Sequence, residues 1–487
     1  MLARSTVLHP IVALGALELS QAIHQRDYSC VEVMRAYLDH IDQLNPSVNA
    51  LVSLQPAEML LEQAASCDKE LAQGQSRGWL HGIPQAIKDL SATQGIATTM
   101  GSPLYRHQIA DHDGIMVERM RRAGAIIIGK SNTPEFGAGS HTYNGVFGAT
   151  GNAYASDRSA GGSSGGAAVA LALRLLPVAD GSDMMGSLRN PAAFNNVFGF
   201  RPSWGGIPLG PTPELFLQQL ATEGPMGRNI PDILALLKTQ AGPDLRVPLA
   251  SGLCGLDQVL EQDFSACRIA WLGDWNGYLP MEDGILEQCE LALQDIRALG
   301  CQLEAASIGF DPSLLWESWE VHRHWLMAGS LNADYQDASR RSQLKPELLW
   351  EIEGGLQLSA LDVYRASRIR SDWYRAVLRM FEEYDFLILP SAQVYPFALE
   401  QHWPHMVAGR VMSSYHRWME VVIGPTMAGL PVMNIPAGFG RNGLPMGMQL
   451  VGRPRVDMAV LQLAHAYDQQ RQWVKNILPP ILQARAA

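Results

Sequence analysis

The chain has 487 residues, with 37 Lys and Arg against 48 Asp and Glu, giving a formal net charge of −11. That balance excludes a protein that grips nucleic acid or an anionic membrane by bulk charge. Charged residues are 17% and hydrophobic residues 47% of the chain, which excludes general disorder and supplies material for a large core.

The apolar stretch at residues 11–17 is too short to span a membrane, and the run from Ala167 is broken by Arg174. His9 and Pro10 interrupt the start and Glu18 ends its apolar stretch, so no secretory leader is expected. The six cysteines (Cys30, Cys67, Cys254, Cys267, Cys289 and Cys301) show no CxxC spacing. They are too sparse for a disulfide scaffold and wrongly spaced for zinc, so reduced, buried thiols in a cytoplasmic protein are expected.

In chain order, Ser29 and Glu32 form a capping box ahead of Val31, Met34, Leu38 and Ile41 at helical spacing, with Tyr37 and Leu44 on the same side. Asn45-Pro46 ends that helix, and a second is expected over residues 56–73. Residues 1–75 thus read as a helical layer packed on the core, and 76–487 as the main α/β domain. From His81 glycine becomes frequent. Strands are expected at 125–129, 175–179 and 385–390, and a strand pair at 431–438 and 445–452 around the turn dipeptide Asn442-Gly443. Helical patterns lie between them at 114–123, 166–174, 230–240 and 280–299. This alternation implies a mixed α/β sheet covered on both faces. Residues 255–385 read as a helical flank crowded with Trp316, Trp319, Trp325, Trp350 and Trp373. Aromatics at such spacing are core more often than pocket, although one helix is expected to face a cleft.

The sharpest local feature is Gly161-Gly162-Ser163-Ser164-Gly165-Gly166. It lacks the Lys-Ser/Thr of a phosphate-binding loop. It matches G-x-S-x-G through Gly161, Ser163 and Gly165, but polar, turn-like residues stand where a nucleophile elbow needs a buried strand. A flexible linker would not open directly onto an Ala/Val/Leu helix. Two further segments matter: residues 81–89, where Lys88 follows an apolar stretch, and residues 181–191, which contain Ser187. Taken alone, Lys88 reads as an exposed strand end. His322 and His324 have the look of a metal pair without completing ligands, and Ser342 with Lys345 matches S-x-x-K without its companion motifs.

Together these segments resemble the amidase signature family. The resemblance is carried by Gly82-Ile83-Pro84 with Lys88-Asp89; by Gly129-Lys130-Ser131-Asn132 with Glu135-Phe136; by the Gly161–Gly166 motif; and by Ser182-Asp183 with Gly186-Ser187, Arg189 and Pro191. Gly224-Pro225-Met226 with Arg228, Gly429-Leu430-Pro431, Pro436-Ala437-Gly438 and Gly443-Leu444-Pro445 with Gly447, Gln449, Leu450 and Gly452 extend it, from about residue 20 to 455. It implies an α/β fold with a large, twisted, mixed central sheet between helical layers, and amide hydrolysis without cofactor or metal. Ser187 would be the acyl-accepting nucleophile, Ser163 (after a cis peptide bond) the proton relay, and Lys88 the general base. A lysine serves as a base only if burial or a positive neighbour lowers its pKa. The backbone N–H groups of Met184, Met185, Gly186 and Ser187 would form the oxyanion hole. Asp183 and Arg189 are expected to brace that loop, an ordinary surface pair being the alternative for Arg189.

The family usually has glycine where this chain has Met185. Either the position needs no positive φ here, or Met185 narrows the acyl site. Residues 151–153 also depart from the family's Asn-Pro. Gly137 matches a position lining the substrate cavity, suggesting a roomy, apolar cleft suited to an aryl or acyl amide. A small-molecule amide substrate is expected, with neither nucleic acid nor membrane as partner, and the apolar flank is compatible with a homodimer. The glutaminase component of a tRNA-dependent amidotransferase shares these motifs and is the second reading.

Overall fold

The computed structural model describes residues 8–483. The first layer is helical: Pro10–Ala13, Ala16–Gln25, Cys30–Leu44 and Ala57–Ala72. The capping box forms as expected, Ser29 Oγ accepting from the Glu32 N–H at 3.1 Å and the Glu32 carboxylate from the Ser29 N–H at 2.8 Å. The buried face of that helix is centred on Val33, Met34, Tyr37, Ile41 and Leu44, so Val31 and Leu38 lie at its margin. The layer is tied to the rest of the molecule by Asp232, whose carboxylate accepts from the N–H groups of Ala16 and Leu17 at 2.8 and 2.9 Å. These are the orphan donors of a helix start, so the cap also acts as a tertiary anchor.

A small sheet follows. Strand β1 (Leu51–Val52) pairs antiparallel with β3 (Ile126–Ser131), which pairs parallel with β2 (Pro84–Lys88). The main sheet has eight strands in the order β4 (Ala179–Asp183), β6 (Thr222–Gly227), β5 (Phe198–Arg201), β12 (Val432–Phe439), β13 (Pro445–Gly452), β9 (Phe386–Pro390), β7 (Arg268–Trp271) and β8 (Gln302–Ala305). A two-stranded ribbon of β10 (Met406–Val407) and β11 (Arg410–Val411) stands apart. Pairing is antiparallel from β4 to β9 and parallel from β9 to β8, so the sheet is mixed. Its apolar strands and the helices against them share one continuous core.

Three expectations shift. The strand expected at 175–179 begins only at Ala179. Arg174 takes a left-handed conformation at the end of helix Gly165–Ala172, the Leu175 N–H turns back to the Ala170 carbonyl, and Pro177 has no N–H to give a ladder. The polar run Asp180-Gly181-Ser182-Asp183 is itself the strand. It can be buried because its carboxylates find partners, described below. The helix expected from residue 280 starts at Ile285, after Gly284 at φ +92°. The 255–385 flank contributes helices Pro312–Gln336, Pro346–Leu356 and Ala360–Glu383, but also strands β7 and β8 at the sheet edge. Of the five tryptophans named above, Trp316, Trp319 and Trp373 are core; Trp325 and Trp350 are not.

Candidate active site

Lys88 ends β2, where the small sheet meets the edge of the main one. The junction is made by a side chain: the Asp180 carboxylate on β4 accepts from the Lys88 backbone N–H at 3.2 and 3.3 Å. The Lys88 side chain is therefore free to run inward. Its Nζ is 2.7 Å from Ser163 Oγ, 2.9 Å from Ser164 Oγ and 3.0 Å from Ser182 Oγ, with the Ser182 carbonyl at 3.3 Å. Only 1% of the residue is exposed. Burial lowers its pKa from 10.5 to about 7, against the opposing pull of Asp180, Asp183 and Glu223. Nearby Glu223, itself raised by burial to about 8, accepts from Ser91 Oγ at 2.9 Å. The amine thus sits among hydroxyls rather than on a carboxylate, an arrangement that tolerates its neutral form.

Ser163 follows a cis Gly162–Ser163 peptide, at the turn that opens helix Gly165–Ala172. Glycine is required at the approach: Gly161 has φ +71°, and a Cβ there would stand 2.6 Å from Asn190 Oδ1 and 2.9 Å from Pro191 Cα. The Ser164 N–H reaches the Ser187 carbonyl at 3.3 Å, so the two serine-bearing segments touch through backbone. Ser187 is 7% exposed. Gly137 takes φ +67°, and a Cβ on it would lie 3.4 Å from Ser163 Oγ and 2.9 Å from Leu90 Cδ1. The structure thus brings Lys88, Ser163 and Gly137 together, and joins the Ser187 backbone to Ser164 beside them.

The loop before Ser187 is held by Asp183. Its carboxylate accepts from the Gly186 N–H at 2.9 Å, the Leu188 N–H at 3.1 Å, and Arg189 Nε and Nη2 at 2.9 Å each. Arg201 lies against the same residue, 3.3 Å from Oδ1. Burial alone would raise the Asp183 pKa, but the two guanidiniums and the N–H donors hold it well below the usual carboxylate range. Arg189 is fully buried rather than a surface pair, and Nη1 also reaches the Val422 carbonyl at 2.9 Å while Nη2 reaches Thr426 Oγ1 at 2.8 Å. Gly186 has φ +78°, and a Cβ would meet Val422 at 2.9 Å. Met185 is not in the left-handed region and is buried. One expectation needs correction: the Gly186 N–H is directed at Asp183, which leaves Met184, Met185 and Ser187 as candidate oxyanion donors.

Sequence reasoning did not single out Ser164, Asp180 or Arg201, although Ser164 stands inside the glycine-serine motif. The other motifs dissolve. His322 Nδ1 bonds its own helix at the Ser318 carbonyl at 2.7 Å, and His324 Nδ1 faces Glu351 at 3.0 Å. Ser342 donates to the Ser339 carbonyl and Lys345 to the Ala138 carbonyl. No group of three or more His, Cys, Asp or Glu able to hold a metal occurs among the described residues. An apolar cavity of about 440 Å³ opens beside Trp204, Leu217, Trp325 and Leu326, but the two serines and Lys88 do not line it.

The amidase family model matches residues 32–461. An acylamidase of Rhodococcus erythropolis is 32% identical over 465 residues, covering 94% of this chain and 96% of its own. The A subunit of the glutamyl-tRNA(Gln) amidotransferase of Thermosynechococcus vestitus is 31% identical over 483 residues, covering 94% and 98%. A bacterial aryl acylamidase of the amidase signature enzymes superposes with a TM-score of 0.91 at 25% identity, covering 98% of this chain and 99% of that one. For the corresponding amidotransferase protein of Thermotoga maritima the TM-score is 0.76 at 25% identity, covering 95% and 96%. With a family match over most of its length and relatives of this identity aligned nearly end to end, the chain belongs to the amidase signature family.

Proposed function

We propose that the chain is a free-standing amidase that hydrolyses the C–N bond of a neutral carboxylic amide, an aryl or acyl amide, through an acyl-enzyme on Ser187. The observation that carries this reading is the buried Lys88 amine, 2.7 Å from Ser163 Oγ. Ser187 Oγ gives its proton to Ser163 Oγ, whose own proton passes to neutral Lys88 Nζ, and the freed oxygen attacks the substrate carbonyl. The N–H groups of Met184, Met185 and Ser187 receive the developing oxyanion, on a loop stiffened by Asp183 and Arg189. The proton returns through Ser163 to the leaving nitrogen as the C–N bond breaks. Water then attacks the acyl-enzyme, gives its proton to the same relay, and frees the acid with Ser187 restored.

The second reading, a glutaminase within an amidotransferase complex, is favoured by the 31% identity to the Thermosynechococcus vestitus protein. The higher TM-score to the aryl acylamidase, 0.91 against 0.76, weighs toward the free-standing enzyme. The cytoplasmic reading rests on sparse thiols: all six cysteines are free, five of them buried. No helix among the described residues is long and apolar enough to cross a membrane.

The test is turnover of anilides, aliphatic amides and glutamine by the purified chain, with fluorophosphonate labelling of Ser187. Ser187→Ala should lose labelling and turnover together. Wild-type turnover in that variant sinks the assignment, and glutamine hydrolysis only with a co-purifying partner protein reverses the ranking of the two readings.

A further inference from the structure

Helix Pro312–Gln336 carries a buried guanidinium, Arg323. Its Nε donates to Glu351 Oε1 at 2.9 Å and its Nη2 to the Tyr415 hydroxyl at 3.2 Å, and that hydroxyl donates to Glu351 Oε1 at 2.7 Å. The remaining nitrogen, Nη1, points at Met184 Sδ, 3.1 Å away. A thioether is a weak acceptor, so a desolvated, charge-assisted donor is left with a poor partner. Buried donors of this strength are ordinarily well satisfied.

The location gives the donor meaning. Met184 stands three residues before Ser187 on the same loop. On the opposite side, the Tyr415 ring lies 3.5 Å from where a Cβ on Gly139 would stand, and Gly137 in the same turn abuts Ser163. Ala138 packs with Met327, one helical turn beyond Arg323. Through Tyr415, Arg323 therefore links the loop that carries Met184 to the 137–139 turn beside Ser163. Burial would raise the Glu351 carboxyl, but the Arg323 guanidinium, with His324 and His416, holds it down at about 2. Glu351 thus balances the guanidinium, so the charge of this donor is already compensated. That suits a neutral oxygen acceptor better than a carboxylate. Met184 has three rotatable bonds and can swing aside.

We propose that Arg323 is a specificity-determining residue whose Nη1 donates to a second, neutral oxygen of the substrate, a carbonyl or ether near the scissile amide, in place of the Met184 thioether. This rests on the amide-hydrolase reading above and narrows its substrate class to amides carrying such an oxygen.

The test uses two matched pairs: 4-oxopentanamide against pentanamide, which differ on the acyl side, and N-(2-methoxyethyl)acetamide against N-butylacetamide, which differ on the amine side. The wild-type chain should show kcat/KM about tenfold or more higher for the oxygen-bearing member of at least one pair, the scale of discrimination at a site built to bond an oxygen. Arg323→Lys keeps a cation beside Glu351 but shortens its reach. Arg323→Met with Glu351→Gln removes both buried charges together, so neither is stranded. Each should bring the ratio to within about twofold of one. The ratio is internal to one preparation, so partial loss of folded enzyme cancels, and either variant alone suffices. Equal rates within both pairs in the wild type, or a ratio that survives substitution, overturns this proposal while leaving the amidase reading in place. Hydrolysis of none of the four amides, nor of any amide in the turnover panel, overturns both.

Discussion

Asp180 holds Lys88 by its backbone N–H, at 3.2 and 3.3 Å, and leaves the amine to the serine hydroxyls. The carboxylate thus fixes where the lysine stands and still raises its proton affinity through space. Lys88 acts as a base only when neutral, so kcat/KM should rise as pH climbs through about 7 and level off above it. Asp180→Asn keeps a carbonyl oxygen for the backbone N–H and removes the charge. The acid limb of the profile should then move to lower pH, as should the pH at which Ser187 is labelled at half its maximal rate. A limb that stays put or moves upward contradicts the coupling.

The same burial makes Lys88 a burden on stability. Its folded pKa of about 7 lies below the 10.5 of the unfolded chain, so between those values the unfolded state binds more protons and stability rises with pH. Lys88→Met removes that penalty and leaves Ser163, Ser164 and Ser182 able to pair among themselves. Turnover should fall by about 10²–10⁴, the usual range for losing a general base, while the urea midpoint at pH 7 does not fall. A variant that is inactive because it is unfolded would contradict this.

The sequence made the proposed triad and its loop legible because close backbone packing forces a local signature. Gly161 and Gly186 are marked by the glycine each conformation requires, and Ser163 and Ser187 stand beside them. Lys88 was different: alone it reads as an exposed strand end, and only the resemblance drew it inward. Strands with strict hydrophobic runs, such as β3 and β9, appear close to where periodicity puts them. β4 does not, because Asp180 and Asp183 are buried by virtue of partners from distant segments, which no local pattern reveals. Arg323 and Tyr415 were invisible for the same reason: 92 residues separate them, and only the fold joins them.

Asp183 should be the weak point of the loop at low pH. Its folded pKa is depressed, so its stabilisation is complete above the unfolded value of ~3.9 and is lost as pH falls through the folded one. Acid unfolding below about pH 4 should therefore draw on this group. Asp183→Asn leaves Arg189 and Arg201 buried without their carboxylate, at a cost on the order of 3–5 kcal/mol, read as a lower urea midpoint at pH 7. An unchanged midpoint would show that the pair does not brace the loop.

Gly137→Ala separates crowding at the serine from loss of fold. The position has φ +67°, where an L side chain costs about 1–2 kcal/mol, and the new methyl would stand 3.4 Å from Ser163 Oγ. Its 2.9 Å approach to Leu90 Cδ1 is to the end of a flexible side chain, which can turn away. The expected result is a modest loss of stability with kcat/KM down by about 10–100-fold, since small misplacements of a relay are costly. Full activity would place Gly137 outside the reacting region.

Met185 stands where glycine is usual in the family, and its backbone does not need glycine's conformational range. Its side chain is buried in the main core, 7% exposed, so truncation acts on both packing and site. Met185→Gly should cost about 2–5 kcal/mol through the cavity it leaves, which blurs any change in substrate choice. Met185→Leu keeps the volume and changes the shape, at less than about 1.5 kcal/mol. If Met185 shapes the acyl site, that variant should shift the kcat/KM ratio between acetanilide and hexanoyl anilide several-fold with little change in urea midpoint. The glycine variant should shift the same ratio further toward the longer acyl chain. A ratio indifferent to both substitutions would leave Met185 a packing residue.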